Sequence, residues 1–308
     1  MLPKGTYTSG HFELEIDGHP TTAYLKSVEG GFVHANVIAE PIGPDNHRVM
    51  HTSTVEIDPF TVDFGISGAN DVLLWIQSSW RKDWSRRNGQ ITHANFDLYK
   101  TFEHEFYDAL ISETTFPTLD GASKEAAYIK IKVQPEAVVS KKADGSKTRV
   151  NSTLGSKQKL WMLSGFRLNI DGITNAQYTN KIESFTIKQG IQKFYTGASR
   201  FPQIEPTKID FPKLTCSIGL NYASELIDWY DAYVVKGGKD PKQQKTGSLE
   251  FLSPDRASVL FRLNLYEVGL PHLQILPSKA NAEDIKRVKY ELFVGRMDLD
   301  GSGALGME

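Results

Sequence analysis

The stretch 12–18 reads FELEIDG and the stretch 166–172 reads FRLNIDG. Each alternates apolar and polar residues with a period of two and closes on Asp-Gly. That is the pattern of a half-buried strand running into a tight turn. Two such heptapeptides recur by chance often enough, so the question is whether the match extends. At an offset of 154 it does: Val28 falls on Ile182, Glu29 on Glu183, Gly65 on Gly219, Ala69 on Ala223 and Trp75 on Trp229, and Tyr24 on Tyr178. The same offset places Pro117-Thr-Leu119 on Pro271-His-Leu273. A register held over such a length is the mark of a chain built twice.

Both copies order their patterns alike. The opening strand leads to a long extended stretch, 22–37 in one copy and 177–195 in the other. A second alternating stretch follows (STVEIDPFTVDFGI and TKIDFPKLTCSIGL). The period then lengthens to three and four over 69–80 and 222–234, which predicts one helix per copy, with Asn70 and Ser224 as N-caps. Trp75, Trp229 and Tyr230 lie on the apolar stripes and are expected to pack helix on sheet. A hairpin and a closing strand, AAYIKIKV or VKYELFVG, end each copy. About seven extra residues are expected in the second copy between Pro271 and its last strand. The expected division is 1–135, a polar connector 136–163 that is mobile around 141–159, and 164–308 with a frayed tail.

The 308 residues carry a net charge of −2 and are 40% hydrophobic, an ordinary globular balance with no bulk pull toward nucleic acid or membrane. The single cysteine, Cys216, excludes an internal disulfide framework, and the first residues lack the apolar core of a signal peptide. The chain is therefore expected to fold in a cytoplasm, with no membrane partner.

No constellation of catalytic residues emerges. Glu103 and Glu105 share one strand face and could act as an acid/base pair, or simply line a solvated hairpin with Asp108. His104 has no second ligand at metal spacing, and His11, His19 and His34 are scattered. Asp298 and Asp300 begin a calcium-loop pattern whose twelfth position falls beyond residue 308. No phosphate-binding glycine loop is present, and no cofactor is expected. Two basic runs follow the helices at equivalent places. Arg81, Lys82, Arg86 and Arg87 in one, and Lys236 and Lys239 in the other, suggest an outer contact surface or solvated loops.

The succession of strand, long hairpin, strand pair, Trp-bearing helix, hairpin and closing strand resembles the tail-tube fold of contractile-tailed phages and contractile injection systems. The resemblance is carried by FRLNIDG, KLTCSIGLNYASELIDWYDAYVVKG, SLEFLSPDRASVLFRLNLYEVGLPHL and RVKYELFVGRMDL. It implies two tandem, mainly β tube-like half-barrels with one short helix each, closing into a ring barrel on self-association. Long unpaired edge strands would make sense in such a ring. The implied function is a non-enzymatic structural protein of a phage tail, assembled in a bacterial host cytoplasm. Its rings, of three chains in preference to six, would stack into a tube for DNA or effector. Sheath, baseplate and tape-measure proteins are the implied partners. The alternatives are a baseplate hub or tube-initiator ring adapting three-fold to six-fold symmetry, and a two-domain β-rich binding module or carbohydrate-active enzyme using Glu103 and Glu105.

Overall fold

The computed structural model describes residues 10–21 (backbone only at 19–21), 25–43, 47–83, 86–143, 149–150, 161–237, 243–277 and 285–301. Strands dominate. The N-terminal half holds β1 His11–Ile16, β2 His19–Thr21, β3 Leu25–Gly30, β4 Val33–Ile42, β5 His47–Ile57 and β6 Phe60–Phe64. Helix α1, Asn70–Trp80, precedes β7 Arg87–Ala94, β8 Lys100–Phe116, β9 Leu119–Asp120, β10 Ile129–Gln134 and β11 Ala137–Lys142. The C-terminal half holds β12 Phe166–Ile170, β13 Thr179–Ile182, β14 Phe185–Phe194, β15 Gln203–Asp210 and β16 Leu214–Gly219. Helix α2, Ser224–Tyr230, then runs into a π-helical turn, Asp231–Val235, before β17 Lys245–Leu252, β18 Val259–Ile275 and β19 Arg287–Asp300.

Hydrogen bonding gives the two halves one order. The first sheet runs β1-β7-β8-β10-β6-β3 and the second β12-β17-β18-β19-β16-β13. Residue partners correspond as well: Leu14 faces Ile91 where Leu168 faces Leu249, and Val62 faces Ile131 where Cys216 faces Tyr290. Gly18 and Gly172 take positive φ at the two Asp-Gly turns, the conformation that made that dipeptide informative. At Gly89 and Gly247, each opposite the end of the opening strand, a Cβ would land on the carbonyl oxygen of Glu15 or Asn169. Asp108 and Glu267 sit left-handed at matching bulges of β8 and β18.

The registers correct the constant offset. Ile16 corresponds to Ile170 at 154, but Gly89 corresponds to Gly247 at 158 and Phe106 to Leu265 at 159. The extra residues of the second half therefore lie between helix and hairpin and in the hairpin turn. The segments before the closing strands, 117–128 and 276–286, are nearly equal, so no seven-residue insertion exists there. Pro271 stands at the position of Ser112, and its match to Pro117 is accidental.

Three further expectations change. The positions before the helices are Ala69 and Ala223, without side-chain caps, and Asn70 and Ser224 are already helical. Both alanines are buried and each is entered from a tight turn, so the cap position packs instead of bonding through a polar side chain. Helix α2 stops earlier than the predicted 222–234, its last turn widening into the π-helical segment. Residues 137–142, expected in a connector, form β11 on β8. Their register, Val139 opposite Glu105, repeats that of Asp298 opposite Asn264, so β10 and β11 together occupy the place of β19, interrupted at Pro135. Of the expected mobile stretch, 144–148 and 151–159 lie outside the described residues, as does the tail 302–308.

One contiguous apolar core runs through both halves, from Leu14, Phe60, Trp75 and Phe116 to Phe251, Phe261 and Leu292. Among the described residues no helix is long and apolar enough to cross a membrane.

Candidate assembly surfaces

Helix α1 turns Val72, Leu73, Trp75 and Ile76 inward, where apolar burial of about 25 cal/mol per Å² holds it to the sheet. In α2 Leu226 and Trp229 are buried and Tyr230 is half-buried against the core. Trp229 has Lys245 over its ring at 5.5 Å, and its buried Nε1 has no hydrogen-bond partner among the described residues. Trp75 and Trp229 are buried and Tyr230 is half-buried against the core.

The two halves join edge to edge. Beyond its pairing with β10, β8 receives β14 on its other side: Phe116 faces Phe185, Thr115 faces Thr186, Thr114 faces Ile187 and Glu113 faces Lys188. Phe116 stacks on Phe185 at 5.0 Å and on Phe251 at 5.6 Å, and the hydroxyls of Thr115 and Thr186 bond at 2.9 Å. The short β9 adds to β13. Ser184 Oγ donates to the Phe116 carbonyl, 2.8 Å.

Two of the basic residues after α1, Arg81 and Arg86, reach across this seam. Arg81 forms a bidentate pair with Asp298 at 2.8 and 2.9 Å. Arg86 bonds Glu136 at 2.6 Å, Glu205 at 2.9 Å and the Ile204 carbonyl. Arg87 pairs with Asp17 at 2.6 Å, inside the N-terminal half. Lys82 is exposed with φ 63°, and Lys236 pairs with Asp231 at 2.7 Å. Lys239 lies outside the described residues. Sequence reasoning grouped these cations by charge alone; their carboxylate partners, more than a hundred positions away for Arg81 and for the Glu205 contact of Arg86, left no local signal.

The carboxylates do not assemble into an acid/base pair. Glu103 is held by Lys100 at 3.0 Å. Hydrogen bonds from Lys141 and then Tyr107 keep Glu105 below the usual carboxylate range, the reverse of what a general acid needs. His104 is buried, its Nε2 donating to the Gly31 carbonyl and its Nδ1 2.7 Å from Ser140 Oγ. Burial lowers its pKa. His34 pairs with Asp58 at 3.3 Å on the surface. His11 lies at the start of β1, and nothing is described for the His19 side chain. Asp298 and Asp300 are strand residues of β19, and among the described residues no His/Cys/Asp/Glu cluster fits a metal. Cys216 is buried and its thiol pushed up to about 12 by desolvation, which suits a core residue.

The long extended stretch and the alternating stretch after it form an arm of β4 and β5, a two-stranded sheet pairing Val33–Ile42 with His47–Ile57. Its outer part is exposed on both faces and presents Val37, Ile38, Ile42, Val49 and Met50 to solvent. A signal existed in that apolar run beside a hairpin turn.

Among the described residues the chain is mainly β, with its apolar side chains given to packing. Residues 8–139 match the family model described as T4-like virus tail tube protein gp19. That match spans the N-terminal half of the chain, and it is a likeness to a family of tail tube proteins. Among solved structures it is similar to a chain of the anti-feeding prophage baseplate, at 14% identity and TM-score 0.42 over 46% of this chain and 99% of that one. A chain of the sheath–tube complex of an extracellular contractile injection system, PVC, in the extended state shares 17% identity with a TM-score of 0.39, over 46% and 93%. Hcp1 from Flavobacterium johnsoniae shares 14% identity with a TM-score of 0.27, over 45% and 96%. No curated protein sequence matches.

Proposed function

We propose that the chain is a tandem duplication of a tail-tube unit and that three chains close a six-unit ring, rings stacking into the tube of a phage tail or contractile injection particle. The observation that carries this reading is the seam between the halves: β14 extends the sheet of one unit into the next, as a closed barrel requires. The equivalent strand order and registers support two copies of one unit, with the first reaching through β11. Bare apolar residues on the first arm fit contact with the neighbouring ring. The conduit would pass DNA or effector, and sheath, baseplate and tape-measure proteins would be its partners, with Lys82 and Lys236 on an outer contact surface.

The test is to purify the chain, raise its concentration, and measure mass by light scattering and shape by negative-stain electron microscopy. Three-chain rings or tubes are the expected result. A strictly monomeric chain at high concentration would discard the reading.

A further inference from the structure

The seam inside one chain is a template for a seam between chains. Each half has a leading side, made by the end of its long hairpin strand and the end of its helix, and a receiving side, made by its arm and its closing strand. Inside the chain the leading side of the first half meets the receiving side of the second. Among the described residues, the leading side of the second half and the receiving side of the first have no further partner strand.

Residue equivalence says what should meet. Glu113–Phe116 of β8 correspond to His272–Ile275 of β18, since Thr114 faces Ile131 where Leu273 faces Tyr290. Residues 272–275 have β19 on one side and no described strand on the other. Phe185–Lys188 correspond to residues 31–34, since Lys188 faces Asp210 where His34 faces Glu56. Positions buried at the internal seam are exposed and apolar at the bare sides. Phe116 is buried while Ile275 is 57% exposed, Ile187 is buried while Val33 is 45% exposed, and Ile204 is buried while Met50 is 65% exposed. The ion pair of Arg81 at the end of α1 with Asp298 has an apolar counterpart: Val235 at the end of the second helix, 66% exposed, and Val139, 42% exposed. Bare apolar groups on complementary sides of one molecule are what a head-to-tail contact covers.

We infer that the chain docks on a second copy of itself through this repeated seam. Residues 272–274 of β18 add antiparallel to 32–34 of the next copy, with Leu273 opposite Val33 and Gln274 opposite Phe32. Val235 closes against Val139 of that copy. The inference rests on the ring reading and specifies which edges meet and in which register.

Disulfide trapping tests it, because directly opposed residues of antiparallel strands bring Cα atoms about 4.5–5.5 Å apart, inside disulfide range. The native thiol, Cys216, is buried and does not compete. The double variant Val33→Cys with Leu273→Cys, oxidised mildly, should give a ladder of chain-to-chain cross-links ending at the ring number. The neighbouring pair Val33→Cys with Gln274→Cys, turned to the other sheet face, should give at least about tenfold less. Independently, Val139→Asp should raise the concentration needed for assembly by on the order of 100-fold, because it places an unpaired charge in a dry contact. Its circular dichroism should match that of the native chain. Rings that form normally in Val139→Asp and do not cross-link at 33 and 273 would overturn this seam while leaving the ring reading intact. A native chain that forms no rings would overturn both.

Discussion

The arm of β4 and β5 and the arm of β14 and β15 pair residue for residue at an offset of 154, His34 opposite Glu56 and Lys188 opposite Asp210. Their surroundings differ. The base of the second arm lies on β8 with Phe185 and Ile187 buried, whereas the first arm stands as a separate two-stranded sheet. Sequence and hydrogen-bond pattern are thus enough to build an arm, and a neighbouring edge decides whether its apolar residues become core. Burial here belongs to the place in the assembly as much as to the strand.

The comparison can be sharpened first at the helices. Trp75→Ala should destabilise the chain by about 3–5 kcal/mol, since the fully buried indole leaves a cavity, and Trp229→Ala by clearly less, in urea unfolding followed by fluorescence. Equal losses would mean that the two helices pack alike despite the π-helical turn in the second. At the seam, Phe116→Ala should cost about 3–4 kcal/mol in a dilute chain. Ile275→Ala, at the corresponding exposed position, should cost under about 0.5 kcal/mol there. A large loss from the second would break the contrast between made and bare edges. Among the cations, Arg86→Ala should cost about 2 kcal/mol, because it releases Glu136, Glu205 and a carbonyl together. Arg81→Ala, removing a more exposed pair, should cost under about 1 kcal/mol.

The smallest effect is a pH slope confined to one half. His104 is buried and neutral, and its pKa is lowered first by desolvation. The unfolded chain binds the proton more readily, so stability is full above the ordinary histidine value of 6.5 and falls as pH drops toward the lowered folded value. The corresponding residue in the second half is Leu263, which cannot titrate. Hydrogen exchange should therefore show β7 and β8 losing protection before β17 and β18 as pH falls below 6.5. His104→Leu should flatten the difference.

Much of this architecture is visible in the sequence because two-residue and three-to-four-residue periods are local. FELEIDG, FRLNIDG, the body of each Trp-bearing helix and the hairpins lie where their patterns put them. The constant offset fails after the helices because extra residues enter between helix and hairpin, which identity at Pro117 and Pro271 concealed. AVVSKK reads as connector because four of its six residues face solvent at an outer position, so alternation barely shows. The seam is illegible because its pairs, such as Phe116 with Phe185 and Arg81 with Asp298, join distant parts of the chain.

The β8–β14 junction has a kinetic consequence. In a six-unit ring of single-unit subunits, every contact is a bimolecular event, and the population of closed rings scales with the sixth power of free subunit concentration. In the proposed three-chain ring, every second contact would be the β8–β14 junction already made when the chain folds, at an effective concentration set by a covalent link. Closure of that proposed ring would be third order in chains. The threshold concentration for assembly would fall, and incomplete rings would have fewer intermediates in which to stall.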